Sequence, residues 1–198
     1  MIRSFYYLPS EGVRVLDDIQ DFDCLMAVEG SVLWIDMLKP TDQELFILTH
    51  DFKFHPLAIE DVIAENSRTK VDDYERYLFM VFPVVDYVGR DHGLKISELN
   101  FFLGKNYLLS VRFTEHRMFD YLYGRAERDE RLISRGADYL IHAVVDTVVD
   151  NYNSTLDIFD YEVDRIEQDV LGKAEEETLR SIFALRRDVI ALKRIVGP

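Results

Sequence analysis

"VDTVVDNYNSTLDIFDYEVDRIEQDV", residues 145–170, decides how the second half of this chain folds. Val145, Val149, Tyr152, Leu156, Phe159, Val163, Ile166 and Val170 recur at steps of four and three. A mean period of about 3.5 residues keeps one apolar seam on one side of a continuous helix. Gly172 stops that helix, and "GKAEEE" leads into a second seam of Ile182, Leu185, Val189, Leu192 and Val196. Two amphipathic helices joined by so short a link fold back on each other, which predicts a long antiparallel helical hairpin over residues 137–198. The rhythm runs almost to Pro198, an end that suits a natural domain and a piece of a longer chain alike.

Beside the seam lies an acidic stripe: Asp146, Asp150, Asn153, Asp157, Asp160, Asp164 and Glu167. Like charges at this spacing cost an isolated helix roughly 0.2–0.5 kcal/mol per pair, so the stripe needs counter-charge. Arg180, Arg187 and Arg194 recur every seventh position on the second helix, next to Arg186 and Lys193. Antiparallel pairing is expected to set some of these opposite the distal acids, Asp157 to Glu167. Asp146 and Asp150 lie nearer the first half of the chain, where the arginines do not reach. Oxygen-only ligands suit hard cations, and Mg2+ typically keeps several waters while taking one or two carboxylates. Spacing alone leaves two readings of this pair open, a solvated acidic flank or part of a weak, hydrated cation site.

Upstream, residues 1–136 alternate strand-like and helix-like segments and read as an α/β (α+β) globular part. "SFYYLP" and "VLWIDML" are short strands. "TDQELFILTHDF" opens with Thr41 as N-cap and Glu44 three residues on, a capping box. Pro56 belongs in the first turn of the next helix, which ends near Ala64. "YLFMVFPVVDYV", "ISELNFFLG" and "NYLLSVRF", with "GRDHG" and "GKN" as turns, form an antiparallel meander in which Pro83 marks an edge or a bulge. "EHRMFDYLYGRAERDERLIS" reads as one helix, capped by Gly136.

Composition narrows the function. The chain of 198 residues is 48% hydrophobic and 13% aromatic, enough to bury a real core. Its net charge of −14 argues against nucleic acid and against an anionic membrane surface, and suits cations or basic partners. Cys24 is the only cysteine, so an intrachain disulfide and a Cys-rich zinc site are excluded. The longest apolar run, Leu78 to Val85, is far short of the roughly 20 residues of a membrane helix. There is no phosphate-binding glycine loop, no G-x-S-x-G and no H-E-x-x-H, and no nucleophile stands out, so an enzyme is not expected. His50 and His55 read as packing or capping groups.

In "HPLAIEDV", residues 55–62, Glu60 and Asp61 project about 100° apart on a short helix and reach one edge of it. From the residues alone they are flank acids. The ordered combination of "HPLAIEDV", "KVDDYERYLFMV", "ADYLIHAVVDTVVDNY", the acidic helix and "LRRDVIALKRIVGP", from about Leu33 to the end, closely resembles the cytosolic domain of the CorA family of divalent-cation transporters. Many members carry Gln-Arg-Pro where this chain has Ser67, Arg68 and Thr69, without consequence for metal binding.

The resemblance implies an α/β/α sandwich with a central mixed sheet, carrying the hairpin. It implies a pentamer in the full-length protein, anchored in the inner membrane with this domain facing the cytoplasm. It also implies that a stalk helix and two membrane helices, with Gly-Met-Asn between the latter, are missing from this sequence. This fragment is then a homo-oligomer in its native setting and a monomer at ordinary concentration by itself. Regulatory Mg2+, with Co2+ as a substitute, binds between neighbouring subunits and holds the channel closed. By motif position the metal ligands are Glu60, Asp61 and Asp146, with Asp150 as an added candidate, and the remaining carboxylate comes from a neighbour's stalk. Weak binding is expected of the fragment. Two alternatives are a zinc-transporting relative of the same superfamily and a stand-alone acidic oligomerisation module.

Overall fold

A computed structural model of the chain describes residues 1–16, 21–65, 68–87, 89, 93–173 and 176–197. The described strands are β1 (Ile2–Leu8), β2 (Gly12–Leu16), β3 (Val32–Leu38), β4 (Lys70–Asp73), β5 (Leu78–Tyr87), β6 (Leu94–Leu103) and β7 (Tyr107–Arg112). The helices are α1 (Phe22–Ala27), α2 (Asp42–His50), α3 (Pro56–Ala64), α4 (Arg117–Arg128), α5 (Arg131–Ser134), α6 (Ala137–Lys173) and α7 (Glu176–Val196). These strands form one sheet in the order β2-β1-β3-β7-β6-β5-β4. β3 pairs parallel with β7, Leu33 opposite Tyr107, while β1–β2, β1–β3, β4–β5 and β6–β7 are antiparallel. The sheet is therefore mixed, and the meander of β5, β6 and β7 is present.

By packing the chain divides into two compact units, Met1–Phe82 with Glu98–Thr147, and Pro83–Ser97 with Val148–Pro198. In the first unit both faces of the sheet are covered. Alternation along β3 sends Leu33, Ile35 and Met37 to one side, where Leu109, Val111, Phe102, Phe79 and Val81 join them. Phe22 of α1, Leu48 of α2 and Ala58 and Val62 of α3 close that layer, together with Phe54 from the loop between α2 and α3. Trp34 faces the other way, stacking on Phe5 (5.2 Å) and meeting Tyr123 of α4 at a 40° tilt (5.7 Å). The result is an α/β/α sandwich.

Local signals explain the helix starts. The Thr41 hydroxyl accepts from the Glu44 backbone N–H (3.3 Å), and the Glu44 carboxylate accepts from the Thr41 N–H (2.7 Å), so both halves of the capping box are made. The Thr41 backbone N–H holds the Glu44 carboxyl below its ordinary range. Thr41→Ala is expected to lower unfolding free energy by about 1 kcal/mol in urea denaturation. β4 pairs with β5 only from Asp73↔Leu78 to Lys70↔Val81, so Pro83 lies beyond that ladder, at an edge.

The stretch 115–134 is not one helix. It breaks at Asp129, whose backbone is extended (φ −129°, ψ 95°), giving α4 and α5. The Asp129 carboxylate accepts from the Arg131 backbone N–H (3.2 Å) and guanidinium (2.7 and 3.0 Å), a local bond that competes with helix continuation. Gly136 follows α5 with φ +115°, and its carbonyl accepts from Leu140 at the start of α6.

In the second unit α6 and α7 run antiparallel as a hairpin against the end of β5. Residues 174 and 175 of the expected "GKAEEE" link, and 90–92 of the "GRDHG" turn, lie outside the described residues. The seam is rotated from the expected one. Phe159 and Ile166 are buried with Thr155 and Glu162, whereas Val149, Leu156, Val163 and Val170 are 40–47% exposed. The cause is β5: Asn151 donates to the Val85 carbonyl (2.6 Å), Thr155 also reaches it, and the Tyr152 hydroxyl donates to Pro83. Phe159, Val85 and Leu192 form the core beneath.

The expected charge pairing across the hairpin is not made either. Arg180 pairs with Glu176 on its own helix (2.6 Å), and Arg165 with Glu162 (3.3 Å). Among the described residues no ion pair joins the stripe from Asp157 to Glu167 to the arginines of α7.

Candidate metal centre

α3 is fixed at its start before it presents any acid. His55 is extended (φ −63°, ψ 136°), its Nδ1 accepts from the Leu57 N–H (3.2 Å), and Pro56 fills the first helical position. The His55 N–H donates to the Tyr77 hydroxyl (2.8 Å), and its ring stacks on Tyr74 at 5.2 Å. His55 is thus the capping group expected. Ala58 and Val62 bury the inner face, and Ile59 is half-buried. Ile63, placed on the apolar side by the helical pattern, is instead 56% exposed.

Glu60 is exposed and Asp61 half-buried, side by side on α3. Asp61 is held by a cation already. Lys70 of β4 donates from Nζ to Asp61 Oδ2 at 2.7 Å and pairs with Asp72 Oδ2 at 2.8 Å. Its stem passes the Phe79 ring, Nζ lying 5.5 Å from the centroid. The bond to Asp61, then that to Asp72, pushes the Lys70 ammonium up to about 12. The Lys70 charge is therefore present at neutral pH, and on the alkaline side the pair is lost as pH rises through that value. Leu57 and Ile63 on α3 and Val71 on β4 are all more than half exposed, apolar side chains on the elements that carry these charges.

Asp146 is exposed on α6 in the same packing unit, and Asp150, one turn further on, is exposed in the other unit. Glu60 and Asp61 are thus one adjacent pair, and Asp146 and Asp150 another. Among the described residues no three acidic, histidine or cysteine side chains converge on a point where a metal could sit. The donors fit a hard cation in kind, being carboxylate oxygens, one of them already binding an ammonium ion. They do not complete a coordination sphere within one chain.

Two members of this cluster were not foreseen. Lys70 and Asp72 lie on β4, a four-residue strand absent from the pattern-based reading of the first half. Lys70 and Asp72 are two apart on that strand and so face the same side, a signal present in "KVDD". A second charged cluster, also unforeseen, is buried on the opposite face of the sheet. Arg112 of β7 (3% exposed) donates to Asp36 Oδ2 of β3 (1% exposed) from Nη2 at 3.0 Å and from Nε at 3.1 Å, and from Nη2 to the Tyr123 hydroxyl at 2.8 Å. Ser110 Oγ donates to Asp36 Oδ1 (2.5 Å), and the Tyr123 hydroxyl donates to Oδ2. Burial, then Asp36, pushes the Tyr123 phenol well above its ordinary range. Enclosed and fully paired, this cluster binds the layers together and offers no ligand site.

The family model described as "CorA-like Mg2+ transporter protein" matches residues 29–198. The chain belongs to that CorA-like family. The cobalt/magnesium transport protein CorA of Thermotoga maritima is 31% identical over 148 residues, 74% of this chain and 42% of that protein. The putative metal ion transporter YfjQ of Bacillus subtilis is 26% identical over 165 residues, 83% of this chain and 50% of that protein. The chain thus spans half or less of the length of these CorA-like relatives. Among solved structures, the soluble domain of CorA from Methanocaldococcus jannaschii superposes with a TM-score of 0.77 at 18% identity, covering 96% of this chain and 72% of that one. The ZntB cytoplasmic domain from Vibrio parahaemolyticus gives 0.70 at 11% identity, covering 99% and 74%. These likenesses establish the fold: the CorA-like chain has the architecture of the family's soluble domain. No described helix is long and apolar enough to cross a membrane.

Proposed function

We propose that this chain is the cytosolic, ion-sensing part of a CorA-type Mg2+/Co2+ channel, whose transport path lies in membrane helices outside this sequence. Divalent cations bind at Glu60, Asp61 and Asp146, with Asp150 contributing on the next turn, and are completed by carboxylates of a neighbouring subunit in a pentamer. Bound ions bridge acids that otherwise repel, which holds the subunits together and the channel closed; when Mg2+ falls, the subunits separate. The observation that carries this reading is the placement of Asp61. In a chain of this family it is a carboxylate on a well-anchored helix, already gripping a cation, and the same helix carries exposed Leu57 and Ile63 that suit a subunit contact. In this reading the choice of transported ion belongs to the pore.

In calorimetry the chain alone is expected to bind Mg2+ weakly, and Asp61→Ala and Asp146→Ala each to weaken that binding further. Tight binding that neither substitution changes would refute the assignment.

A further inference from the structure

Lys70 occupies the position of a competitor for the proposed ion. Its ammonium lies 2.7 Å from Asp61 on α3 and 2.8 Å from Asp72 on β4, and so joins two carboxylates on different elements that repel each other without it. Its side chain is 31% exposed, and its Nζ lies 5.5 Å from the Phe79 ring centroid, so the ammonium is positioned rather than trailing in solvent. A divalent ion that takes Asp61 must displace or outweigh the ammonium already on the same carboxylate. Lys70 has somewhere to go when that happens, because Asp72 retains it.

We infer that Lys70 is a built-in rival cation that sets the affinity of Asp61 for divalent ions. The inference rests on the reading of Asp61 as a metal ligand. A monovalent ion carries no more charge than the ammonium it would replace and brings no fixed stem, so it loses the exchange. A divalent ion carries twice the charge and wins once its concentration is high enough. Lys70 thereby places the threshold of the sensor above that of a bare carboxylate cluster, and it keeps α3 and β4 together while the site is empty of metal.

The test is calorimetric titration of the chain with Mg2+, with the Asp61 carboxyl carbon followed by NMR. Lys70→Met, which keeps the length of the stem and its packing, is expected to tighten binding about tenfold, equivalent to about 1.4 kcal/mol. Lys70→Arg, which retains the charge, is expected to stay within about twofold of the parent chain. Lys105→Met, the same loss of charge in the β6–β7 turn, controls for net charge and is expected to change nothing. Adding Asp61→Asn to Lys70→Met is expected to remove the gain, and the Asp61 signal is expected to move with Mg2+ in the parent chain. If Lys70→Met binds no tighter than Lys105→Met while Asp61→Asn weakens the parent, the rival-cation inference falls and the ligand reading survives. If Asp61→Asn changes neither the parent nor Lys70→Met, both fall. If Lys70→Met loses its folded NMR spectrum, Lys70→Arg binding as tightly as a tenfold gain would overturn the inference, and parent-like binding would support it.

Discussion

Replacing Arg112 by methionine is expected to lower the unfolding free energy by about 3–5 kcal/mol, because it leaves the Asp36 carboxylate charged and enclosed. Asp36 is 1% exposed, and its remaining partners are the hydroxyls of Ser110 and Tyr123. Neither hydroxyl supplies positive charge. The guanidinium also donates to the Thr114 carbonyl (3.2 Å) and lies over the Phe119 ring at 4.0 Å, so its loss loosens the start of α4 as well as β3. The cost belongs mainly to the orphaned charge and not to the pair itself, since a buried ion pair is often no better than well-packed apolar groups. Removing both charges, in Asp36→Leu with Arg112→Met, is therefore expected to recover part of the loss. Chemical denaturation of the two single variants and the double variant would measure this; additive losses in the double variant would contradict it.

Phe54→Ala is expected to cost about 3–5 kcal/mol and to disturb the proposed ion site at the same time. Phe54 sits in the loop between α2 and α3, 3% exposed, and stacks on Phe102 of β6 with centroids 4.0 Å apart and planes at 9°. It also meets Tyr77 at 4.6 Å, the residue whose hydroxyl accepts from the His55 N–H. Deleting the ring opens a cavity directly below the N-terminus of α3. The direction of Glu60 and Asp61 depends on that terminus, so Mg2+ affinity is expected to fall together with stability. Denaturation and calorimetry on the same variant check both effects. Retained affinity in a destabilised variant would show that the proposed ion site does not depend on this terminus.

Features written in contiguous residues could be read directly. The capping box at Thr41 and Pro56 at the start of α3 depend on near neighbours, and the strand "VLWIDML" is marked by its own unbroken run of apolar residues around Asp36; each is found where the pattern puts it. β2 and α1 were missed for the opposite reason. β2 is a five-residue strand at the sheet edge, specified by its pairing with β1, and α1 has only six residues. The hairpin shows the same limit inside a correct element. Spacing gives the helices, but which heptad row is buried depends on the carbonyls of Pro83 and Val85, which draw in Tyr152, Asn151 and Thr155 from about seventy positions away. At the proposed ion site the acids Glu60 and Asp61 came from motif position. The counter-ion did not, because Lys70 reaches Asp61 only after α3 and β4 are folded together.

The most direct test of the account is an NMR titration of the chain with paramagnetic Co2+ as the divalent probe. Broadening is expected to begin at Glu60 and Asp61 on α3, with Lys70 and Asp72 next to them, and at Asp146 on α6, and excess Mg2+ is expected to reverse it. Broadening centred on another acidic group, such as Asp21, Asp23 and Asp51, with α3 and Asp146 untouched, would contradict the assignment of these residues as the sensor.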